Sequence, residues 1–226
     1  MNLTEFFNSL PQIDKPYNKY ASYSLAFGNP YRMITCYEAY IYDKFDPYIR
    51  QFIIDNGKCI VMPNYFNNEV ISLVFRSCCK KEFRYHIEYK NIPYGAGVND
   101  KPFYKPWIIV ESALDSDFLR NFYPYVISTN TAAVSSNTMK FLIGTCSTVY
   151  CGFDNDETGN KAFYIIRKKY ANNDFHIKRF LPLQNFDGTP QKDFGDILEL
   201  LHKNNIEDYT YYVELLKNLI TNINAF

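Results

Sequence analysis

The chain has 226 residues, 47% hydrophobic and 21% charged, enough apolar material for one large domain or two small ones and too much for a disordered polymer. Its 24 Lys and Arg balance 24 Asp and Glu, so bulk charge does not advertise a polyanionic partner, and any nucleic-acid surface must arise from local clustering. The cysteines at 36, 59, 78, 79, 146 and 151 contain no C-x-x-C pair, and His86, His176 and His202 complete no zinc-ligand spacing. Free, mostly buried thiols in a reducing compartment are expected. The amino terminus lacks the basic and apolar regions of a signal peptide, and no stretch is long enough for a membrane span. The expectation is a soluble, cytoplasmic protein.

In chain order, residues 4–10 read as a short helix capped at Thr4 and stopped by Pro11. Residues 17–27 are Tyr-rich and read as a loop or an edge strand. From 37 to 54 apolar residues recur near helical spacing, with Pro47 beginning or interrupting the helix. The texture then turns to β: a strand over 58–62 ending in a Pro63-Asn64 turn, a hairpin partner over 69–76, and a third strand over 83–89. Gly95 and Gly97 mark a loop, and residues 101–106 an extended linker. Between 58 and 105, Lys58, Arg76, Lys80, Lys81, Arg84, Lys90, Lys101 and Lys105 outnumber Glu69, Glu82, Glu88 and Asp100. On a half-solvated sheet that excess either holds a phosphate backbone or merely solubilises exposed strand faces.

After Pro106 strands and helices alternate. Strand 107–110 ends in Glu111, and helix 116–123 follows. Strand 125–128, helix 135–143 capped by Ser135, strand 148–153, helix 159–170 and strand 175–181 complete the series. Near-continuous apolar strands separated by helices predict an α/β fold, a parallel sheet with helices on both faces. A polar loop follows Gln184, then helix 196–202 and an amphipathic helix over 206–223. Beyond 185, Asp187, Asp193, Asp196, Glu199, Glu207, Asp208 and Glu214 outnumber Lys192, Lys203 and Lys217, so this end is not a nucleic-acid surface.

The run Phe153-Asp154-Asn155-Asp156-Glu157-Thr158-Gly159 places two carboxylates just beyond a buried strand, at the edge where open α/β sheets bind ligands. Crowded carboxylates repel each other unless a cation lies between them, and hard oxygen donors suit Mg²⁺ or Mn²⁺. The plainer reading is that Asp154 and Asp156 cap the following helix. Glu111 with Asp115, and Asp193 with Asp196, fall near the same expected edge, and that convergence favours the metal site.

Four segments in order carry a resemblance: Val110-Glu111-Ser112-Ala113-Leu114-Asp115, Ser128-Thr129-Asn130-Thr131-Ala132, the Asp154-x-Asp156-x-x-Gly159 turn, and Lys192-Asp193-Phe194-Gly195-Asp196. Together they resemble the TOPRIM domain of bacterial DnaG-type DNA primases over roughly residues 107–200. The strand pair around residues 58–63 and 74–76 is similar to the basic, β-rich part that precedes TOPRIM in those enzymes. The resemblance implies a compact, phage- or plasmid-like primase core. Residues 1–105 would form a mixed, β-rich subdomain, 106–204 the TOPRIM catalytic domain and 205–226 a C-terminal helix. It implies Glu111, Asp154 and Asp156 as catalytic and metal-binding residues, Asp193 and Asp196 as further metal ligands, and Asp115, Gly159 and Lys192 in support. Arg76, Lys80, Lys81 and Arg84 would contact template or triphosphate. The implied cofactor is Mg²⁺ or Mn²⁺. The implied partners are single-stranded DNA, ribonucleoside triphosphates and a replicative helicase, with no membrane, in the cytoplasm (the host's, if phage-encoded). The sequence departs from the pattern at Ser112, where the family carries glycine, and shows no zinc-binding or helicase module. A nuclease using the same acids on water and a non-catalytic primase-like accessory protein are the alternative readings.

Overall fold

The computed structural model describes residues 1–15, 18–87, 92–97, 105–131, 133–180 and 191–196. The chain divides into two compact units, Met1–Lys90 and Asn91–Phe226.

The first unit comprises α1 (Leu3–Ser9), α2 (Lys19–Phe27), β1 (Arg32–Thr35), α3 (Cys36–Ile41), α4 (Pro47–Asn56), β2 (Lys58–Phe66), β3 (Glu69–Ser77) and β4 (Phe83–Ile87). Its strands form an antiparallel sheet in the order β1-β2-β3-β4. Phe6, Phe7, Tyr42, Phe45, Phe52 and Phe75 pack as an aromatic core cluster.

Several local expectations change here. Asn2, not Thr4, caps α1, in a reciprocal box with Glu5, while the Thr4 hydroxyl accepts the Val70 N–H at 2.9 Å. The Tyr-rich stretch is helical because Asn18 accepts two N–H groups at its start and Gly28, at φ 65°, ends it. Pro47 begins a helix, at the position where its missing N–H costs nothing. The β2–β3 hairpin turns at Asn67 and Asn68, with φ of 50° and 65°, instead of at Pro63-Asn64. Pro63 stays inside β2, just before a register shift at Asn64/Tyr65, an irregularity of the kind that tolerates proline.

The half-solvated sheet is also corrected. Consecutive residues along β2 and β3 are buried, which places both faces of these strands in packed surroundings, and only β4 is broadly exposed.

The second unit comprises β5 (Trp107–Val110), α5 (Ala113–Arg120), β6 (Val126–Ser128), α6 (Ser136–Ile143), β7 (Thr148–Gly152), α7 (Glu157–Tyr170) and β8 (His176–Arg179). All four strands are parallel, in the order β6-β5-β7-β8, as the alternation predicts. The chain leaves β5 towards β6 and leaves β7 towards β8. The gap between β5 and β7 is therefore the topological switch point, where a crevice opens beyond the strand ends. A short segment lies along β6, where Tyr94 bridges Ser128. Gly95 makes this possible: its φ is 86°, and a side-chain carbon there would meet the Val126 carbonyl oxygen at 2.4 Å. No described helix is long and apolar enough to cross a membrane. Apart from Asp196, the helices expected over 196–202 and 206–223 lie outside the described residues, as do Lys90 and Lys101.

Candidate active site

Val110 and Gly152 are register partners at the ends of β5 and β7, so the residues that follow them face each other across the switch point. Glu111 follows β5 directly, and its Oε1 accepts the Asp154 N–H at 3.1 Å. Asp156 accepts the Gly159 N–H at 2.9 Å as the N-cap of α7. The capping reading is therefore correct for Asp156, and capping holds its outer oxygen towards the site. The turn between them is so tight that a side-chain carbon on Gly159 would lie 2.1 Å from the Asp154 carbonyl oxygen.

Lys192 joins the two aspartates. Its Nζ lies 3.2 Å from Oδ2 of Asp154 and 3.2 Å from Oδ2 of Asp156. The segment that carries it is docked by Phe194, which stacks on Phe180 at 5.0 Å, and by its own carbonyl, which accepts the Asn155 N–H at 2.6 Å. Asp196 faces its own turn, with Oδ2 accepting the Lys192 N–H at 2.7 Å and the Asp193 N–H at 3.4 Å. Asp193 and Asp115 approach each other elsewhere: a side-chain carbon on Gly195 would sit 3.1 Å from Asp115 Oδ1 and 3.2 Å from Asp193 Oδ1. Ser112 accepts the Asp115 N–H at 3.1 Å and donates to its carboxylate at 2.7 Å. The expected helix start at 116 thus moves to Ala113, because Ser112 is the cap.

Burial acts most strongly on Glu111, and the Asp154 charge adds to it, so the acid is pushed above the ordinary carboxylate range. Asp154 is raised by burial as well, against the opposing pull of Lys192. Asp156, more exposed at 36% against 19%, is lowered chiefly by its hydrogen bond from Gly159. Among the described residues no group of three acid, His or Cys side chains closes on a single point. The chemistry of the donors nevertheless fits a small hard cation: carboxylate oxygens on two strand ends, with an ammonium already between two of them.

Arg179, at the end of β8, did not stand out in the sequence. Its guanidinium donates to the carbonyls of Cys151 (3.0 Å), Phe153 (2.9 Å) and Asp154 (2.9 Å) and to the Asn160 side chain (3.3 Å). It therefore fixes the backbone that presents Asp154. A lone arginine closing a strand beside the acid-bearing one was the available signal.

The four basic residues expected to act together belong to the first unit and do not form one patch. Phe75 is the register partner of Arg84, and Arg76 that of Phe83, so Arg76 and Arg84 leave opposite faces of the sheet. Arg84 lies over the Phe52 ring at 5.2 Å and Arg76 over the Tyr20 ring at 5.0 Å. Lys80 and Lys81 are exposed between β3 and β4.

With the acids on two adjacent strand ends at a switch point, the comparison with known proteins is direct. Residues 108–198 match the model of the Toprim-like family. This segment is a Toprim-like domain. No curated protein matches the sequence. Among solved structures, the DnaG primase catalytic domain bound to ssDNA aligns at 16% identity and a TM-score of 0.56, covering 97% of this chain and 80% of that one. The E. coli primase catalytic core aligns at 17% and 0.55, covering 93% and 78%. The primase fragment of the bacteriophage T7 primase-helicase protein aligns at 16% and 0.50, covering 82% of this chain, which spans 66% of that fragment. At these identities the likeness is one of fold.

Two outcomes follow for the Toprim-like domain. Gly159→Ala forces the turn off the Asp154 carbonyl and should cost about 1–3 kcal/mol in urea denaturation. Glu111 has a raised pKa in the folded state, so the stability it confers is full below the ordinary carboxylate range and lost as pH rises through the raised value. Glu111→Gln keeps the acceptor for the Asp154 N–H and removes the charge. It should raise the thermal midpoint by about 2 °C at pH 7 and leave it unchanged near about pH 4.

Proposed function

We propose that this protein is the catalytic core of a DNA primase that joins ribonucleotides into short primers on single-stranded DNA. One observation supports the reading: Glu111 on one side of the switch point accepts the Asp154 N–H on the other, with Asp156 two residues on, in a fold that aligns over 97% of the chain with a DnaG primase catalytic domain. Glu111, Asp154 and Asp156 would hold Mg²⁺ or Mn²⁺, while Asp193, which lies towards Asp115, and Asp196, which shapes the Lys192 turn, would support them. When bound there, the metal would supply charge neutralisation at the nucleotide phosphates and a lowered pKa for the attacking 3′ hydroxyl. The chain's own part is positioning, which dominates phosphoryl transfer. Arg179 fixes the Asp154 backbone and Gly159 lets the turn close; as the alternative to holding metal, Glu111 would be the base that receives the hydroxyl proton. Lys80, Lys81 and Arg84 would follow the template backbone, and Arg76, from the other sheet face, the triphosphate. A replicative helicase is the partner class expected of such a core.

Incubated with Mg²⁺, labelled ribonucleotides and single-stranded DNA, the full chain should make short RNA. Synthesis should fall about 100-fold or more in Asp154→Asn and vanish on chelation. Cleavage of nucleic acid with no dinucleotide made would establish the nuclease reading, and neither chemistry would establish the accessory one. Single-strand binding should weaken in the Lys80→Ala, Lys81→Ala, Arg84→Ala triple variant. The slope of log K against log salt should become shallower by about 2. An unchanged slope assigns those charges to solubility alone.

A further inference from the structure

Lys192 is the one side chain that touches both Asp154 and Asp156 among the described ion pairs, and it is held very differently from the groups around it. Its main chain is fixed. Asn155 donates to its carbonyl, Asp196 accepts its N–H, and Phe194 is buried against Phe180 two residues on. Its ammonium is not fixed: the side chain is 57% exposed and reaches the acids along a flexible stem. Arg179 shows the opposite pattern. Its fork is spent on three backbone carbonyls and Asn160, so it cannot leave without dismantling the turn.

We infer that Lys192 is an exchangeable counter-ion. It steadies the Asp154–Asp156 pair until a divalent cation arrives, gives up its place to that cation, and then meets the phosphates of the incoming nucleotide. The inference rests on the metal reading above and adds to it the residue that sets the metal's affinity. The energetics allow the exchange. Two partly solvated ion pairs are each weak, whereas a dication between two carboxylates brings twice the charge. Because Arg179 holds the carbonyls at 151, 153 and 154, departure of the ammonium leaves the acid-bearing backbone in place. A released Lys192 stays tethered at the rim of the site, a point charge suited to phosphate oxygens.

The test is calorimetric titration of the full chain with Mn²⁺ alone, then with ATP at saturating Mn²⁺. Lys192→Met removes the competitor. It should bind Mn²⁺ about three- to tenfold more tightly than the native chain and, once loaded, bind ATP about three- to tenfold more weakly. Lys192→Arg keeps the charge and should not tighten Mn²⁺ binding. Unchanged or weaker Mn²⁺ binding by Lys192→Met overturns the exchange, because the lysine would then be supporting the acids instead of competing for them. Tighter Mn²⁺ with unaltered ATP binding overturns its second half. If the native chain and both variants bind no Mn²⁺ at all, the metal reading itself fails, a result separable from the first two.

Discussion

Like charges gathered at one edge of a parallel sheet have to be compensated from beyond the two strands that deliver them, and this constraint orders the second unit. Glu111 and Asp154 arrive just past neighbouring strands that carry no charged residue, so no counter-charge can come from those strands themselves. It comes from two segments later in the chain, Arg179 at the end of β8 and Lys192 in the following turn. One is bound to main-chain oxygens and the other to carboxylates. The electrostatic problem is thereby divided between a fixed charge and a movable one.

The glycines and aromatics around the site serve that division. Gly159 lets the first turn of α7 close on the Asp154 carbonyl, and the small Gly152 leaves room for the Phe194 ring, which would stand 2.9 Å from any side-chain carbon added there. The acids thus owe their positions in part to contacts that involve no charge. A site so built keeps its shape when its ions change, as phosphoryl transfer requires of preorganised groups.

How far the sequence revealed this depended on whether local pattern and tertiary context agreed. The parallel sheet was legible because Trp107-Ile108-Ile109-Val110 and its successors are short apolar runs that only a doubly covered sheet can use. The acids were legible because carboxylates past such strands have few other uses. The first unit was harder to read. Tyrosines suit strands by propensity, yet Asn18 and Gly28 make their segment a helix. Basic residues close in sequence looked like one patch, but the two-residue period of a strand sends Arg76 and Arg84 to opposite faces. Arg179 left only a weak signal because its partners are mostly carbonyl oxygens, which every residue has.

The parallel sheet ends differently on its two sides. The outer edge of β6 is occupied by the segment containing Tyr94, whereas β8 is followed by no further paired strand among the described residues. An open edge is a template on which another copy of the chain can add a strand. With a net charge of +0, the molecule has no long-range repulsion to keep copies apart, so protection must be local. The exposed His176 and Lys178 of β8 provide it, because an incoming strand would have to bury both. Among the described residues, the guard on this edge is therefore two side chains on one short strand, not overall charge.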